Sequence, residues 1–495
     1  MTLFRLHQLL VQPKFGSAGR QVIANNFVWE VLPVRNRASF LVPAALMAVV
    51  IGCEQPQARF ELTERTKDLM SPARTAVADA VEENFGTPND LVAWLRSPTR
   101  YGDNTGHVAG GDGTVSADSF PAEFDEPVAS DLSGAALRFT SGKYQGQQVP
   151  VGQFDADAGQ LVLGAVLDPP VEQDTQFQVV GDVLQHGRML YMTHCMHCHG
   201  VSGDGEGPTA QYLDPRPREY RLGIYKFTST KQTDKASTDD LQRTVKQGIP
   251  GTYMPSFMLL KDDELAAVVE YVRFLSIRGE FEKKLVDELY GDYSTAAVND
   301  RLESGESEDE IESQLTAYIQ DDLPSTVDFA SSDLASSWTN ADTEAAVVVP
   351  EKSRVPDTLE SRKRGRALYV SDRTKCVTCH GPKGRGNGSA TNDYWKVPGS
   401  NETYDSRGLH DLWGNKLSPR DLTRGIYRGG RRPIDLYRRV YAGIKGTPMP
   451  AFGGTVLKDD EIWDLVNYVM SIPFESEQPS PGNEQLAVTV SDQPR

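Results

Sequence analysis

The chain is short of cysteine, of long apolar runs and of positive charge, and each shortage closes off a class of protein. Five cysteines in 495 residues are too few for a disulfide-stapled scaffold. No run of about eighteen apolar residues occurs, which argues for a soluble body without membrane-spanning helices and leaves the chain ends as the only places for membrane attachment. A formal net charge of −18 repels nucleic acid and steers toward basic partners. What remains is a multi-domain globular chain, long enough for two to four domains.

The first end carries a signal. Arg35 and Arg37 precede an apolar run from Ala38 to Ile51 that is short for a bilayer span, the pattern of a signal peptide over residues 1–52. The run closes on Val50-Ile51-Gly52-Cys53, which resembles the lipobox of bacterial lipoproteins. That resemblance implies cleavage before Cys53 and acylation of its thiol, placing the protein on the periplasmic side of a bacterial membrane. A plain signal peptide, or an uncleaved anchor with an incidental cysteine, is the competing reading.

An internal repeat organises the rest. Gly-Arg-x-Leu-Tyr opens each unit (Gly187 to Tyr191, Gly365 to Tyr369), followed by Cys-x-x-Cys-His-Gly and then Gly-Ile-Tyr (Gly223 to Tyr225, Gly425 to Tyr427). Each unit closes with Gly-Ile-x-Gly-Thr-x-Met-Pro-x-Phe and Leu-Lys-Asp-Asp-Glu ahead of an amphipathic helix. The units are drawn at 180–278 and 357–475. Before them, 53–179 reads as a helical stretch from Thr75 to Leu95 followed by turns and short strands or extended loops, with no assignable chemistry. Between them, 279–356 forms an insert. Its Glu280 to Asp322 part holds fourteen acidic and three basic residues, read as a solvated helical linker, with an acidic docking arm as the alternative. Unit two is basic, with Arg420, Arg424, Arg428, Arg431, Arg432, Arg438 and Arg439; these are expected to pair with carboxylates of a bound group, dock the acidic insert or meet an acidic partner. The tail, 476–495, reads as disordered.

Four of the five cysteines fall in two copies of one motif. Cys195-Met196-His197-Cys198-His199 and Cys376-Val377-Thr378-Cys379-His380 match Cys-x-x-Cys-His, the attachment signature of c-type haem. Thiols three residues apart reach the two vinyl positions of one porphyrin edge, and the adjoining imidazole binds iron from the proximal side. Zinc would need further Cys or His nearby, and a redox pair has no use for the following His. For the sixth ligand each unit offers a methionine before proline, Met254 and Met449, lying 55 and 69 residues past His199 and His380. Met258 competes in unit one, but unit two has Gly453 or Gly454 near that place. Outside the leader, the remaining histidines, His107, His186, His194, His197 and His410, read as surface groups or haem neighbours.

Each unit resembles a class I cytochrome c domain: an N-terminal helix with a glycine and an aromatic, the haem motif, a Met-Pro loop and a C-terminal helix crossing the first. In that last helix Leu265, Val268, Val269, Val272 and Leu275, and in unit two Ile462, Leu465, Val466 and Val469, recur at helical spacing toward the haem or the first helix. The resemblance implies a mainly α fold with two tandem cytochrome c-like domains, a mixed or irregular N-terminal region and an acidic helical insert. It implies two haem c, held by Cys195, Cys198, Cys376 and Cys379, with His199, Met254, His380 and Met449 as axial ligands. His/Met ligation places potentials toward the positive side of the cytochrome range. The expectation is an electron carrier without catalytic residues or small-molecule substrate. It would work in a bacterial respiratory chain, between a quinol-oxidising complex or dehydrogenase and an oxidase or small carrier. A dihaem peroxidase-type enzyme and the cytochrome subunit of a periplasmic dehydrogenase are the alternatives. Unit two departs from the pattern through a longer segment, Ser389 to Leu417, ahead of its ligand loop.

Overall fold

A computed structural model describes residues 58–475, apart from 90, 93–103, 111–114, 126, 127, 129–131, 133, 134 and 399. The expected signal peptide, Cys53 and the tail lie outside the described residues.

The chain enters through α1 (Glu64–Lys67) and α2 (Ser71–Phe85). Ala73, Val77, Ala80, Val81 and Phe85 are buried at helical spacing and join one core with the long helix described below. The helix stops well before the expected Leu95. Gly86 adopts a positive φ of 68°, and the chain turns back so that Gly86 bridges to Leu91.

What the alternating pattern announced only as strands or loops is a closed six-stranded antiparallel barrel. Its strands are β1 (Thr105–Val108), β2 (Ser119–Phe124), β3 (Ala136–Phe139), β4 (Gln148–Asp155), β5 (Gln160–Leu163) and β6 (Gln176–Val180). They follow the order β1-β2-β5-β4-β3-β6, and β6 pairs back to β1. Inward positions alternate with outward ones, placing Val108, Phe120, Leu137, Phe139, Leu161, Phe177 and Val179 in a core separate from that of the helices. The fold is mainly α, but this region is regular β structure.

The first repeat follows at once: α3 (Asp182–His194), α4 (Met196–His199), α5 (Thr238–Gln247) and α6 (Asp262–Tyr293). Helices α3 and α6 cross at Gly187, where an added Cβ would run into the Ala267 carbonyl oxygen. Only glycine lets the two backbones approach that closely.

The acidic insert is not a solvated linker. Helix α6 runs through it without a break to Tyr293, and α7 (Thr295–Glu303), α8 (Glu308–Asp321) and α9 (Leu323–Ala341) fold beside it. Phe281, Leu285, Val286, Leu289, Ile311, Leu315 and Trp338 are all buried in the main core. Two carboxylates face inward, and both are met. Glu280 pairs with Lys235 and accepts from Trp338 Nε1 at 2.8 Å, while Glu282 accepts from Thr66 Oγ1 at 2.6 Å and Thr63 N at 2.7 Å. Burial pushes the Glu280 carboxyl up, against the opposing pull of Lys235 and Trp338. A charge count cannot separate these two from their outward neighbours, because apart from Arg278, which pairs with Glu282 one turn away, their partners lie 45 to 219 residues off. Leu315→Ala should therefore cost about 2–3 kcal/mol in urea unfolding, where a side chain on a solvated linker would cost under about 0.5 kcal/mol.

Beyond α9 the chain lies along the first unit, with Lys231 N donating to Ala346 O at 2.9 Å and Val348 N to Ser229 O at 2.8 Å. It then builds α10 (Leu359–Val370), α11 (Cys376–His380), the short pair β7 (Leu409–His410) and β8 (Lys416–Leu417), α12 (Pro433–Ala442) and α13 (Asp459–Glu475). Helices α10 and α13 repeat the earlier crossing, with Gly365 against the Asp464 carbonyl oxygen. No described helix is long and apolar enough to cross a membrane.

Candidate haem sites

Each repeat unit builds a cavity between its short motif helix, its methionine loop and its last long helix. The first, of about 460 Å³, is lined by Cys195, Cys198, His199 and Met254; the second, of about 250 Å³, by Cys376, Cys379, His380 and Met449. All eight expected residues thus fall on two cavity walls, four to each. Met258, the competing ligand, is 66% exposed and lines neither. The apolar positions expected to face inward also do so: Val268, Val269 and Val272 line the first cavity, and Leu465 and Val469 the second.

Local structure explains how the motif residues are held, and it does so twice in the same way. Tyr191 and Tyr369, both buried, donate their hydroxyls to the carbonyls of Gly200 and Gly381 at 2.8 and 2.7 Å, fixing the turn just after each His. Both glycines have φ of 77°, a conformation an L side chain rarely takes. His199 Nδ1 donates to Arg218 O at 3.0 Å, and His380 Nδ1 to Arg420 O at 3.2 Å. A carbonyl oxygen can only accept, so each contact places the ring proton on Nδ1 and leaves the Nε2 lone pair free to bind a metal. Burial pulls His199 down to about 4 and lowers His380 as well, so both rings are neutral at pH 7, as metal ligation requires.

The methionine loops are matched in the same way. Ile249 N donates to Met254 O and Ile444 N to Met449 O, both at 3.1 Å, while Thr252 Oγ1 and Thr447 Oγ1 accept from the Met254 and Met449 amides. The four cysteines are unpaired and partly buried. Burial pushes Cys195 up to about 12 and raises Cys376 and Cys379, so these sulfurs are thiols rather than the exposed thiolates of a disulfide-exchange site. Among the described residues, no three His, Cys, Asp or Glu side chains converge as a zinc site needs.

This donor set fits haem c: two thiols beside a neutral imidazole with one open nitrogen, and a thioether on the same apolar cavity wall. The expectation for the arginines of unit two holds only in part. Arg432 pairs with Asp435, and Arg438 and Arg439 donate to the carbonyls of Val348 and Gly430, all structural contacts away from the acidic helices. Arg428 alone of the seven lines the first cavity, while Arg420, Arg428 and Arg439 all line the second. Sequence reasoning missed Lys226 and Phe227, which line both cavities from unit one, because neither sits in a recognisable motif.

Fold and cavities together define a chain with c-type cytochrome domains, which bind haem c and transfer electrons, and the comparisons with known families support that class. The cytochrome c family model matches residues 184–276, and the model described as cytochrome c oxidase, cbb3-type, subunit III matches residues 360–469. Among solved structures, a chain of the Kuenenia stuttgartiensis reducing HAO-like protein complex is similar at 25% identity with a TM-score of 0.40, over 58% of this chain and 96% of that one. No curated protein matches the chain.

Proposed function

We propose that the protein is an exported two-haem electron carrier. In this reading Cys195 and Cys198, and Cys376 and Cys379, form the thioether links, with His199 and Met254, and His380 and Met449, as axial ligands. It would receive electrons from a quinol-oxidising complex or dehydrogenase of a bacterial respiratory chain and pass them to an oxidase or small carrier. An acyl chain on Cys53 would hold it to the periplasmic face of the membrane. The observation that carries the reading is the duplicated wall: paired cysteines, a histidine with its tautomer fixed and a backbone-anchored methionine on each of two cavities.

Bound at such a wall, haem c supplies a one-electron ferrous/ferric couple. The protein's own contribution is to hold and to exclude. The carbonyls of Arg218 and Arg420 keep each imidazole in one orientation, the Ile249 and Ile444 amides keep each sulfur loop closed, and the valines and leucines of α6 and α13 keep water from the cavity. With a His and a Met provided on each wall, no coordination place is left for a substrate, which favours a carrier over a peroxidase-type enzyme.

Absorption spectra of the oxidised and reduced protein, together with haem per chain, test this: two low-spin haems are expected, and a high-spin iron in the wild type would move the reading to an enzyme. A second test uses Met254→His. Exchanging thioether for imidazole should lower the midpoint potential of one haem and leave the other within experimental error in a spectroelectrochemical titration.

A further inference from the structure

Among the described residues, three line both cavities: Lys226 and Phe227 from the first unit and Arg428 from the second. The ring of Phe227 lies against Gly429, whose φ of 76° and missing Cβ make room for it. Arg428 reaches into the first unit's methionine loop and donates through Nη2 to Gly251 O at 3.3 Å, while its Nε is buried without a partner. Lys226 crosses the other way, its Nζ 3.2 Å from Asp411 Oδ2. The second Asp411 oxygen is already taken by the amides of Trp413 and Asn415, at 3.2 and 2.9 Å. Arg218, whose guanidinium lies 3.9 Å from the centre of the Trp413 ring, adds a further cation on the first cavity's wall, and the Trp413 indole N–H is buried and unpartnered.

Donors are left over at this junction. Lys226 and Arg218 share Asp411, and Arg428 has Asp214 as a neighbouring carboxylate and Arg420 as a like-charged neighbour, yet Arg428 Nε and the Trp413 indole N–H stay buried without a partner. Burial brings Lys226 down to about 8, with the neighbouring Arg218 and Arg428 charges adding to the effect and Asp411 opposing it. Haem c carries two propionate carboxylates, which are the anionic chemistry this cluster lacks.

We propose that Lys226, Phe227 and Arg428 form one wall common to both haems, whose cations hold propionates and favour the reduced state of both irons together. The two couples are then tuned by a shared electrostatic field, and neither site is set by its own domain alone. This rests on the two-haem reading above.

Spectroelectrochemical titration of the full-length holoprotein tests it, with haem per chain measured on every variant. Lys226→Gln and Arg428→Gln should each lower both midpoint potentials, by about threefold to tenfold in each reduction equilibrium, tenfold being about 59 mV for one electron. Asp411→Asn, which removes the carboxylate beside Lys226 and keeps its shape, should raise both. Opposite signs from neighbouring substitutions cannot arise from loosened folding. Movement of one couple only, or the same sign from Lys226→Gln and Asp411→Asn, overturns the shared wall while leaving two-haem binding intact. Fewer than two haems in the wild type removes the parent reading and this one with it.

Discussion

Alanine at both Cys376 and Cys379 should yield a chain carrying one covalent haem where the wild type should carry two. The two cavities share Lys226, Phe227 and Arg428 on their walls, but each cysteine motif touches only its own. Loss of the second pair therefore leaves Cys195, Cys198 and the Tyr191 contact with Gly200 undisturbed. The effect should reach stability as well. The second unit's core, including Leu436, Phe452, Leu465 and Ile472, is wrapped around its cavity, and an apolar space left unfilled costs packing that the surrounding helices recover only in part. Intact mass and the pyridine haemochrome spectrum, in cells competent for cytochrome c maturation, read the count directly. Two covalent haems on the double variant would end the assignment of these sulfurs. The matching pair, Cys195→Ala with Cys198→Ala, should remove the other haem and leave the second in place.

Valine at Gly187 or Gly365 should be the most damaging single change in either unit. At each crossing the partner is a carbonyl oxygen of the facing helix, Ala267 or Asp464, with the Tyr271 or Tyr468 side chain beside it. A backbone atom cannot rotate away as a side chain can, so the helices must separate. That separation uncovers Tyr191 or Tyr369 and frees the turn that positions His199 or His380. A loss of about 5 kcal/mol or more is expected, comparable with the whole stability of a domain, and with it release of the low-spin spectrum of that unit alone. Gly291, a helical glycine with no atom within 4 Å of an added Cβ, is the control: Gly291→Ala should be neutral or slightly stabilising in the same denaturation experiment.

The parts of this arrangement that a linear reading reaches are those carried by short-range spacing. Cys-x-x-Cys-His places thiols and imidazole within one helical turn, and the 3.6-residue recurrence of Leu265, Val268, Val269, Val272 and Leu275 marks an inward face that is buried throughout. Duplication supplied a second witness for the methionines, since Met258 has no counterpart and proves exposed. Long-range pairing is what stayed hidden. Strands of four to eight residues alternate too briefly to disclose that β6 returns to β1. Glu280 and Glu282 look like their solvated neighbours until Lys235, Trp338 and Thr66 are brought beside them from other elements. Lys226 and Arg428 lie 202 positions apart, and only the packing of one unit on the other puts them on a common wall.

Closure of the six-stranded module limits how another protein can seize it. A sheet with free margins invites an incoming segment to zip on through main-chain hydrogen bonds, largely indifferent to what its residues are. Here the first and last strands already satisfy one another, so recruitment by strand addition is ruled out across the barrel wall. Whatever meets this module must read side chains and turn tips, and such recognition is governed by surface composition and ionic strength rather than by backbone complementarity.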